Sequence, residues 1–303
     1  MVSRKINNTL TTTSGFEDLY PFASNYADIN GHKMHYVDQG KGAPVLMVHG
    51  NPTWSFYFRN LIQGLSGTHR TIVPDHIGCG FSDKPGTDAY DYTLDQRVAD
   101  LDEFISQLDL SQKISLIVHD WGGMIGLAWA LDNLDRVDKI VITNTSGFFL
   151  PSTKRFPFAL WLIKYLTPFA IPAVLGANIF ARGALYLGSE NRLPTAVKKG
   201  LVAPYNSWKN RIATLKFVQD IPITNKDKSY GRVEKVDETL TRLDPDKLMF
   251  VWGTRDFVFD THFLDEFRRR FPRTRAHVFN DAGHYLFEDK PKETLDLIKA
   301  FLS

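Results

Sequence analysis

Cysteine is almost absent from this sequence. Cys79 is the single cysteine in 303 residues, so the chain cannot form an internal disulfide. Disulfides persist in oxidising compartments, and a chain without them suits a reducing one. Residues 1–14 are polar and threonine-rich and lack the apolar stretch of a secretory signal. We therefore expect a cytoplasmic protein.

Long apolar runs and long runs of one charge are also missing. The most apolar stretch, residues 156–187, is broken by charged residues, prolines and an asparagine, whereas a membrane span needs roughly 20 uninterrupted apolar residues. The net charge is only +2. The short basic run at residues 268–270 follows Phe263, Leu264 and Phe267 at helical spacing, which is typical of the solvated face of a helix. We expect neither a membrane span nor a nucleic-acid partner.

Patterns that hold metals or phosphates are lacking as well. His32 and His35 have no companion cysteines or carboxylates at ligand spacing. Gly78 and Gly80 resemble part of a phosphate loop, but the lysine and the serine or threonine that grip phosphate do not follow them. The sequence therefore predicts no metal and no cofactor.

What the sequence does contain is a regular alternation of strand and helix patterns. Short runs rich in β-branched and apolar residues are typical of buried parallel strands, and a helical pattern at residues 94–108 lies between two of them. Such alternation predicts a mostly parallel, doubly wound α/β sheet with helices on both faces. Two further runs joined at Asn30 and Gly31 predict a β-hairpin before it. The predicted strands are residues 25–29, 33–37, 45–48, 71–73, 114–118, 139–143, 248–252 and 276–279.

The alternation stops between residues 150 and 222. This segment contains no strand pattern and is rich in proline and aromatic residues. An insertion between two strands of such a sheet lies over the carboxyl edge, where ligands bind in α/β folds. We predict a core formed by residues 1–149 and 223–303, with residues 150–222 forming a helical cap.

Residues 117–124 carry the strongest chemical signal. They read Ile-Val-His-Asp-Trp-Gly-Gly-Met, in which a strand turns tightly into a helix and small residues follow the central position. This resembles the nucleophile elbow G-x-S-x-G, with Val118 in place of the first glycine and Asp120 in place of serine. A carboxylate there can attack carbon and form an ester. The alternative is that Asp120 only caps the helix, as aspartate often does.

His284 completes a candidate triad with a second carboxylate. It follows the last predicted strand, and Asp256 follows the strand before that, so the chain order matches the nucleophile, acid and base of the α/β-hydrolase fold. Such a carboxylate orients the imidazole and stabilises its protonated form. Asp260 competes with Asp256, which lies nearer to the strand end. Residues 142–147, after the preceding strand, contain no carboxylate that could serve instead.

Two candidate donors lie beside this triad. Asn51 follows a strand, and its amide and the neighbouring backbone N–H groups are placed near the nucleophile. Trp121 directly follows Asp120, and its indole has one donor and no acceptor, so it can hold an anion. Fixed donors aimed at developing negative charge are a major source of catalysis. The alternatives are a turn residue for Asn51 and core packing for Trp121.

Three motifs resemble the haloalkane dehalogenase family of the α/β-hydrolase fold. They are residues 49–54, 74–85 and 119–123, and the resemblance runs from about Tyr20 to the end of the chain. It implies Asp120 as nucleophile, His284 as base, Asp256 as acid, and Asn51 with Trp121 as the pair that stabilises an anion. Within this family, the combination of Asn51 with Asp256 as the acid resembles the pattern of the third subfamily.

Further segments resemble the β-lactone decarboxylases of bacterial long-chain olefin biosynthesis. They are residues 75–80, 203–208, 210–215, 217–222 and 255–260. The resemblance implies that cis-3,4-dialkyl β-lactones are split to cis-alkenes and CO2, inside a multi-enzyme assembly. Haloalkane hydrolysis is the main alternative, followed by epoxide hydrolysis, which needs paired cap tyrosines that no motif here supplies, and by a non-enzymatic ligand receptor. Attack on the lactone carbonyl or on the ring carbon bearing oxygen can both be drawn.

An apolar substrate needs an apolar pocket with few polar groups. Aromatic residues of the predicted cap and of the adjoining loops are the natural candidates for its lining. We predict that the pocket is lined by Phe148, Phe149, Trp161, Phe180, Trp208, Phe217 and Phe257.

Overall fold

The computed structural model describes residues 12–303. Residues 1–11 lie outside the described part. They make up most of segment 1–14, in which the sequence predicts no secretory signal. Eight strands form a single sheet in residues 12–303, in the order β1-β2-β4-β3-β5-β6-β7-β8. The strands are β1 (Asn25–Ile29), β2 (His32–Gln39), β3 (Pro44–Val48), β4 (Arg70–Pro74), β5 (Ile114–Asp120), β6 (Val137–Thr145), β7 (Leu248–Gly253) and β8 (Arg275–Phe279). Every predicted strand is confirmed, with ends that shift by a few residues.

The sheet is mostly parallel, as predicted. β1 and β2 form the antiparallel hairpin, and its turn is made by Asn30 and Gly31, which both have positive φ. β2 also pairs antiparallel with β4, and all other pairs are parallel. The carboxyl ends of the parallel strands therefore meet at one edge of the sheet.

Helices cover both faces of the sheet. Along β5, Leu116 and Val118 belong to the core on one face, whereas Ile117 belongs to the core on the other. This alternation explains why the strands contain nearly continuous apolar runs. The core helices are α1 (Arg59–Leu65), α2 (Leu94–Ser106), α3 (Trp121–Asp132), α10 (Thr261–Arg270), α11 (Leu286–Asp289) and α12 (Pro291–Leu302).

The chain between β6 and β7 contains helices and no strand. They are α4 (Phe158–Tyr165), α5 (Thr167–Ala170), a π-helical turn at Ile171–Gly176, α6 (Ile179–Leu187), α7 (Thr195–Val202), α8 (Ile212–Gln219) and α9 (Tyr230–Thr239). α4, α5, the π-helical turn and α8 share a small apolar core of their own. α9 packs instead against α3 of the main core. The division at residues 150 and 222 stays a prediction.

The helices of this insertion are short. Within residues 12–303, no single helix has the length and apolar composition needed to cross a membrane. α4 and the segment 167–176 meet that test only as a pair bent by 98°.

Candidate active site

Asp120 lies at the sharp turn between β5 and α3. Its backbone has φ 53° and ψ −131°, a conformation that residues other than glycine rarely adopt. Neighbouring glycines make the turn possible, since a Cβ on Gly122 would lie 2.0 Å from the carbonyl oxygen of Val48. A Cβ on Gly50 would lie 1.9 Å from Oδ1 of Asp120 itself. The turn therefore presents the carboxylate at the carboxyl edge of the sheet, against the loop after β3.

The environment of Asp120 makes its charged form costly. The residue is only 6% exposed, and burial raises the pKa of Asp120 to about 6. The charge of His284 and the backbone N–H groups of Asn51 and Trp121 oppose this rise. The Asn51 N–H donates to Oδ1 at 2.5 Å. Oδ2 is left facing the imidazole, with 3.9 Å between it and Nε2 of His284.

The imidazole of His284 is held from its other side by Asp256. Nδ1 of His284 lies 2.8 Å from Oδ2 of Asp256. The second oxygen of Asp256 accepts hydrogen bonds from the backbone N–H groups of Val258, at 2.7 Å, and Phe259, at 3.0 Å. Burial would raise the pKa of Asp256, but the facing His284 and these hydrogen bonds hold it below its ordinary value. Burial would likewise lower the pKa of His284, and the two carboxylates raise it overall.

Asp260 has other partners. It lies 2.5 Å from Nζ of Lys154 and accepts a hydrogen bond from the backbone N–H of His262 at the start of α10. Of the two carboxylates between which the sequence leaves a choice, Asp256 is the one beside the imidazole.

Asn144 is a part of this arrangement that sequence reasoning missed. It lies near the end of β6, and its side-chain amide donates to Oδ2 of Asp256 at 3.1 Å. The same amide donates to the carbonyl of Gly253, and its oxygen accepts from the Gly253 N–H, each at 2.9 Å. It thus ties the Asp256 loop to β6. Only its position as a polar residue near the carboxyl end of a strand could have indicated this contact.

The two candidate donors differ in their contacts. The indole of Trp121 lines the cavity described below, and its N–H has no hydrogen-bond acceptor in residues 12–303. Asn51 contacts Asp120 through its backbone N–H, while its side-chain Nδ2 donates to the carbonyl of Thr214 at 3.1 Å. The second hydrogen on that Nδ2 is not used by this contact. The buried Oδ1 of Asn51 has no partner in the described chain.

These groups open into an apolar cavity of about 340 Å³. Four of the predicted pocket residues line it, namely Phe148, Phe149, Phe180 and Phe257. Much of the remaining wall is aliphatic, whereas the residues predicted from the sequence were all aromatic. The additional lining residues include Met124, Leu150, Leu160, Ile163, Ile179, Leu187, Val218, Ile221, Ile223, Val233 and Val258.

Three predicted pocket residues do not line the cavity. Trp161 is 45% exposed, because α4 turns Leu160 and Ile163 towards the cavity and Trp161 away from it. Trp208 is 51% exposed and lies on the surface. Phe217 is fully buried beneath Trp121, with 5.4 Å between the ring centroids. The guanidinium of Arg97 stacks on the Phe217 ring, 3.5 Å from its centroid. Phe217 therefore supports the site from below and does not face the substrate space.

Comparison with known proteins places this arrangement in a family. Residues 43–291 match the family described as alpha/beta hydrolase fold. The chain belongs to the α/β-hydrolase fold family. A putative ancestral haloalkane dehalogenase has the same fold, with a TM-score of 0.82 at 24% identity over 92% of this chain and 98% of its own. The fold class and the family predicted from the sequence motifs are confirmed.

The similar proteins also include named enzymes. This α/β-hydrolase is 45% identical to a cis-3-alkyl-4-alkyloxetan-2-one decarboxylase of Shewanella oneidensis, over 95% of the chain and 90% of that protein. It is 43% identical to a protein of the same name from Xanthomonas campestris, over 93% of this chain and 97% of that protein. Haloalkane dehalogenase 2 of Mycobacterium tuberculosis is 31% identical to this chain, over 90% of the chain and 92% of that protein.

Proposed function

We propose that this α/β-hydrolase splits cis-3,4-dialkyl β-lactones into a cis-alkene and CO2, with Asp120 as the nucleophile. The observation that carries the proposal is the 45% and 43% identity, over nearly the whole chain, to proteins named decarboxylases of such oxetan-2-ones. The geometry supports it, because a buried carboxylate faces a largely apolar cavity, as a dialkyl substrate requires.

The first step is an in-line displacement at the ring carbon that bears the ring oxygen. Oδ2 of Asp120 attacks this carbon, the carbon–oxygen bond of the ring breaks, and its electron pair leaves with the new carboxylate. The indole N–H of Trp121 and the free amide hydrogen of Asn51 stabilise that departing anion. Attack at the lactone carbonyl would leave the carbon–oxygen bond that must break for alkene formation intact, with its oxygen as an alkoxide, a poor leaving group.

The second step needs no water. The displacement inverts the attacked carbon, so the ester oxygen and the free carboxylate stand anti to each other on adjacent carbons. The bond to the carboxylate breaks to release CO2, its electrons form the double bond, and the ester bond breaks to regenerate the Asp120 carboxylate. Inversion followed by anti departure keeps both alkyl groups on one side. The product is therefore the cis-alkene.

Haloalkane hydrolysis is the second candidate, supported by the 31% identity to a haloalkane dehalogenase. Its first step is the same displacement, with a halide leaving towards Trp121 and Asn51. The resulting ester carries no neighbouring carboxylate, so it needs a water molecule activated by His284. Epoxide hydrolysis is less well supported, because Tyr165 and Tyr186 are exposed and Tyr205 is buried with its hydroxyl on the carbonyl of Thr53. Receptor activity without turnover has no observation of its own in its favour.

Product analysis tests the proposal. Incubation with a cis-dialkyl β-lactone should release cis-alkene and CO2 in equal amounts, followed by gas chromatography. The β-hydroxy acid, which would form by simple hydrolysis, should be absent. Accumulation of that acid as the main product would contradict the proposed function.

The acid limb of the pH profile should lie near 6. Protonated Asp120 is not a nucleophile, and burial raises its pKa to about 6. We expect kcat/KM for the lactone to fall as the pH drops through about 6, because kcat/KM reports groups of the free enzyme. A profile that stays flat down to about pH 5, as an ordinary carboxylate would give, would contradict the assigned environment.

Asp256→Asn should lower kcat/KM for the lactone by up to about 10²-fold, no more than loss of the imidazole itself, because a neutral amide no longer orients and stabilises His284. Asp260→Asn is the matched control. It removes a carboxylate that pairs with Lys154 and not with His284, so kcat/KM should stay near the wild-type value. The reverse ranking would assign the acid to Asp260.

Trp121→Phe should cost about 3 kcal/mol of transition-state stabilisation, the usual size for one donor to a developing anion. The ring remains, so packing on Phe217 is largely kept. Trp208→Phe, at an exposed indole outside the cavity, should leave kcat/KM unchanged. Equal kcat/KM for both variants would remove Trp121 from the site.

Two further predictions follow from the sequence. We propose a reducing, cytoplasmic environment, supported by the single buried thiol of Cys79. A multi-enzyme assembly is implied by resemblance alone and stays a prediction.

A further inference from the structure

The segment 150–222 is strongly basic, although the whole chain is nearly neutral. It contains ten lysine and arginine residues and two acidic residues, a net charge of +8, whereas the full chain carries +2. The rest of the chain is therefore net acidic. The positive charge of this protein is concentrated in the helical insertion above the active site.

Most of these cations have no acidic partner. Lys154 pairs with Asp260 and Lys164 pairs with Asp227. In residues 12–303 no carboxylate lies within 4.0 Å of the other eight, which are Arg155, Arg182, Arg192, Lys198, Lys199, Lys209, Arg211 and Lys216. Twelve cations of the remaining chain do form ion pairs. The insertion thus presents positive charge that the protein itself does not neutralise.

The same segment presents exposed aromatic side chains. Nine of the twelve exposed large hydrophobic residues in the described chain belong to it. On α4, Phe158, Trp161 and Tyr165 recur at helical spacing on one face, and the rings of Phe158 and Trp161 stack at 6.0 Å. On α6, Tyr186 is 72% exposed, with Nζ of Lys198 5.0 Å from its ring centroid. Aromatic and basic side chains are therefore interleaved on this surface.

This surface surrounds the mouth of the active-site cavity. Five residues both line the cavity and are exposed, namely Ala159, Ile179, Leu187, Ile223 and Phe257. One of them lies on α4 and two lie on α6. The cavity therefore opens between the two helices that carry the exposed aromatic residues.

We propose that the exposed face of α4 and α6 docks on an anionic lipid bilayer. Tryptophan and tyrosine favour the boundary between lipid headgroups and acyl chains, and lysine and arginine are attracted by anionic headgroups. An apolar face flanked by basic residues is the pattern of segments that lie in that boundary. Docking in this orientation places the cavity mouth against the acyl region, so a long-chain substrate enters without crossing water. A second copy of the chain is a poor occupant, because it would bring two basic surfaces together.

Vesicle sedimentation with the full chain tests the proposal, and it does not depend on which reaction the site performs. The chain should bind phosphatidylcholine vesicles that contain phosphatidylglycerol, bind pure phosphatidylcholine much more weakly, and be released by salt. Arg182→Gln and Lys198→Gln should each lower the partition coefficient about fivefold, the equivalent of about 1 kcal/mol per surface cation. Phe158→Ser combined with Trp161→Ser should lower it further.

Matched controls lie on other surfaces of the protein. Lys113 is an exposed, unpaired cation in the described chain that precedes β5 at the opposite edge of the sheet, and Tyr26 is an exposed aromatic residue on β1. Lys113→Gln and Tyr26→Ser should bind vesicles like the wild type. Failure of the wild type to bind anionic vesicles, or equal losses in the controls, would overturn the proposal. Self-association that Trp161→Ser abolishes, without any lipid binding, would assign the face to a second copy instead.

Discussion

Asp120→Asn should abolish turnover of both lactones and haloalkanes while leaving the fold intact. The amide keeps the size of the side chain and can still accept the hydrogen bond from the Asn51 N–H, but it cannot form the ester. Loss of an attacking group of this kind costs roughly 10⁴-fold or more in kcat. Circular dichroism and the alkene and halide assays on one preparation measure both effects. Turnover near the wild-type rate would eliminate covalent chemistry at Asp120.

The same substitution should stabilise the protein at neutral pH. The pKa of Asp120 is about 6 in the folded chain and 3.8 ordinarily, so the folded state prefers the protonated form. The free energy of unfolding therefore falls as pH rises from about 4 to about 6 and stays low above it, at a cost of about 3 kcal/mol. Asp120→Asn removes this cost, and Tm should rise at pH 7 but not at pH 4. A Tm of Asp120→Asn below that of the wild type at pH 7 would show that burial of the charged carboxylate does not destabilise the fold.

His284→Gln should separate the two candidate reactions. With a haloalkane, Asp120 can still displace the halide, but hydrolysis of the ester loses its base, so turnover should stop after one equivalent of halide. Intact-mass spectrometry should then show the alkyl adduct. With a β-lactone the ester carries its own carboxylate and fragments without water. Alkene production should therefore persist, lowered by at most about 10²-fold through the lost imidazole.

The adduct has a defined place and a matched control. Peptide mapping should locate it on Asp120, and His284→Gln combined with Asp120→Asn should form none. His262→Gln, at an exposed histidine on α10, should behave like the wild type. Complete loss of alkene without any adduct would mean that His284 acts before the displacement and would contradict the proposed route.

The position of Asp120, the proposed nucleophile, could be predicted because it depends on local sequence. A buried strand, Asp120 and two small residues allow only a tight strand-to-helix turn, and the structure has that turn. Asp256 and His284 could be placed at the same edge because each follows a parallel strand. Their 2.8 Å contact depends on loop geometry, which chain order suggests but does not determine.

The side-chain contacts made by Asn144 and Asn51 could not be predicted. Asn144 reaches Asp256 across neighbouring strands, and no local pattern records that pairing. The Asn51 side chain bonds to Thr214 on α8, so its orientation depends on how the insertion sits on the core. The sequence indicates a donor after β3 and leaves open whether the backbone or the side chain reaches the carboxylate.

The lining of the cavity was predicted from residue type and only partly matched. An aromatic residue on a short amphipathic helix can face either side, and Trp161 faces outward because Leu160 and Ile163 occupy the inner face of α4. Phe217 lies below Trp121, in the core and not in the cavity. Helical phase, and not residue type, decides these positions.

A direct comparison of a cis-dialkyl β-lactone with a 1-haloalkane of similar length tests the central claim. Trp121 and Asn51 can receive either a carboxylate or a halide, so the donors alone do not choose the substrate. The proposed function predicts that kcat/KM for cis-alkene release is at least about a hundredfold above that for halide release, a gap of about 2.7 kcal/mol in transition-state binding. Fast halide release without alkene would contradict the account and make haloalkane hydrolysis the activity of this site.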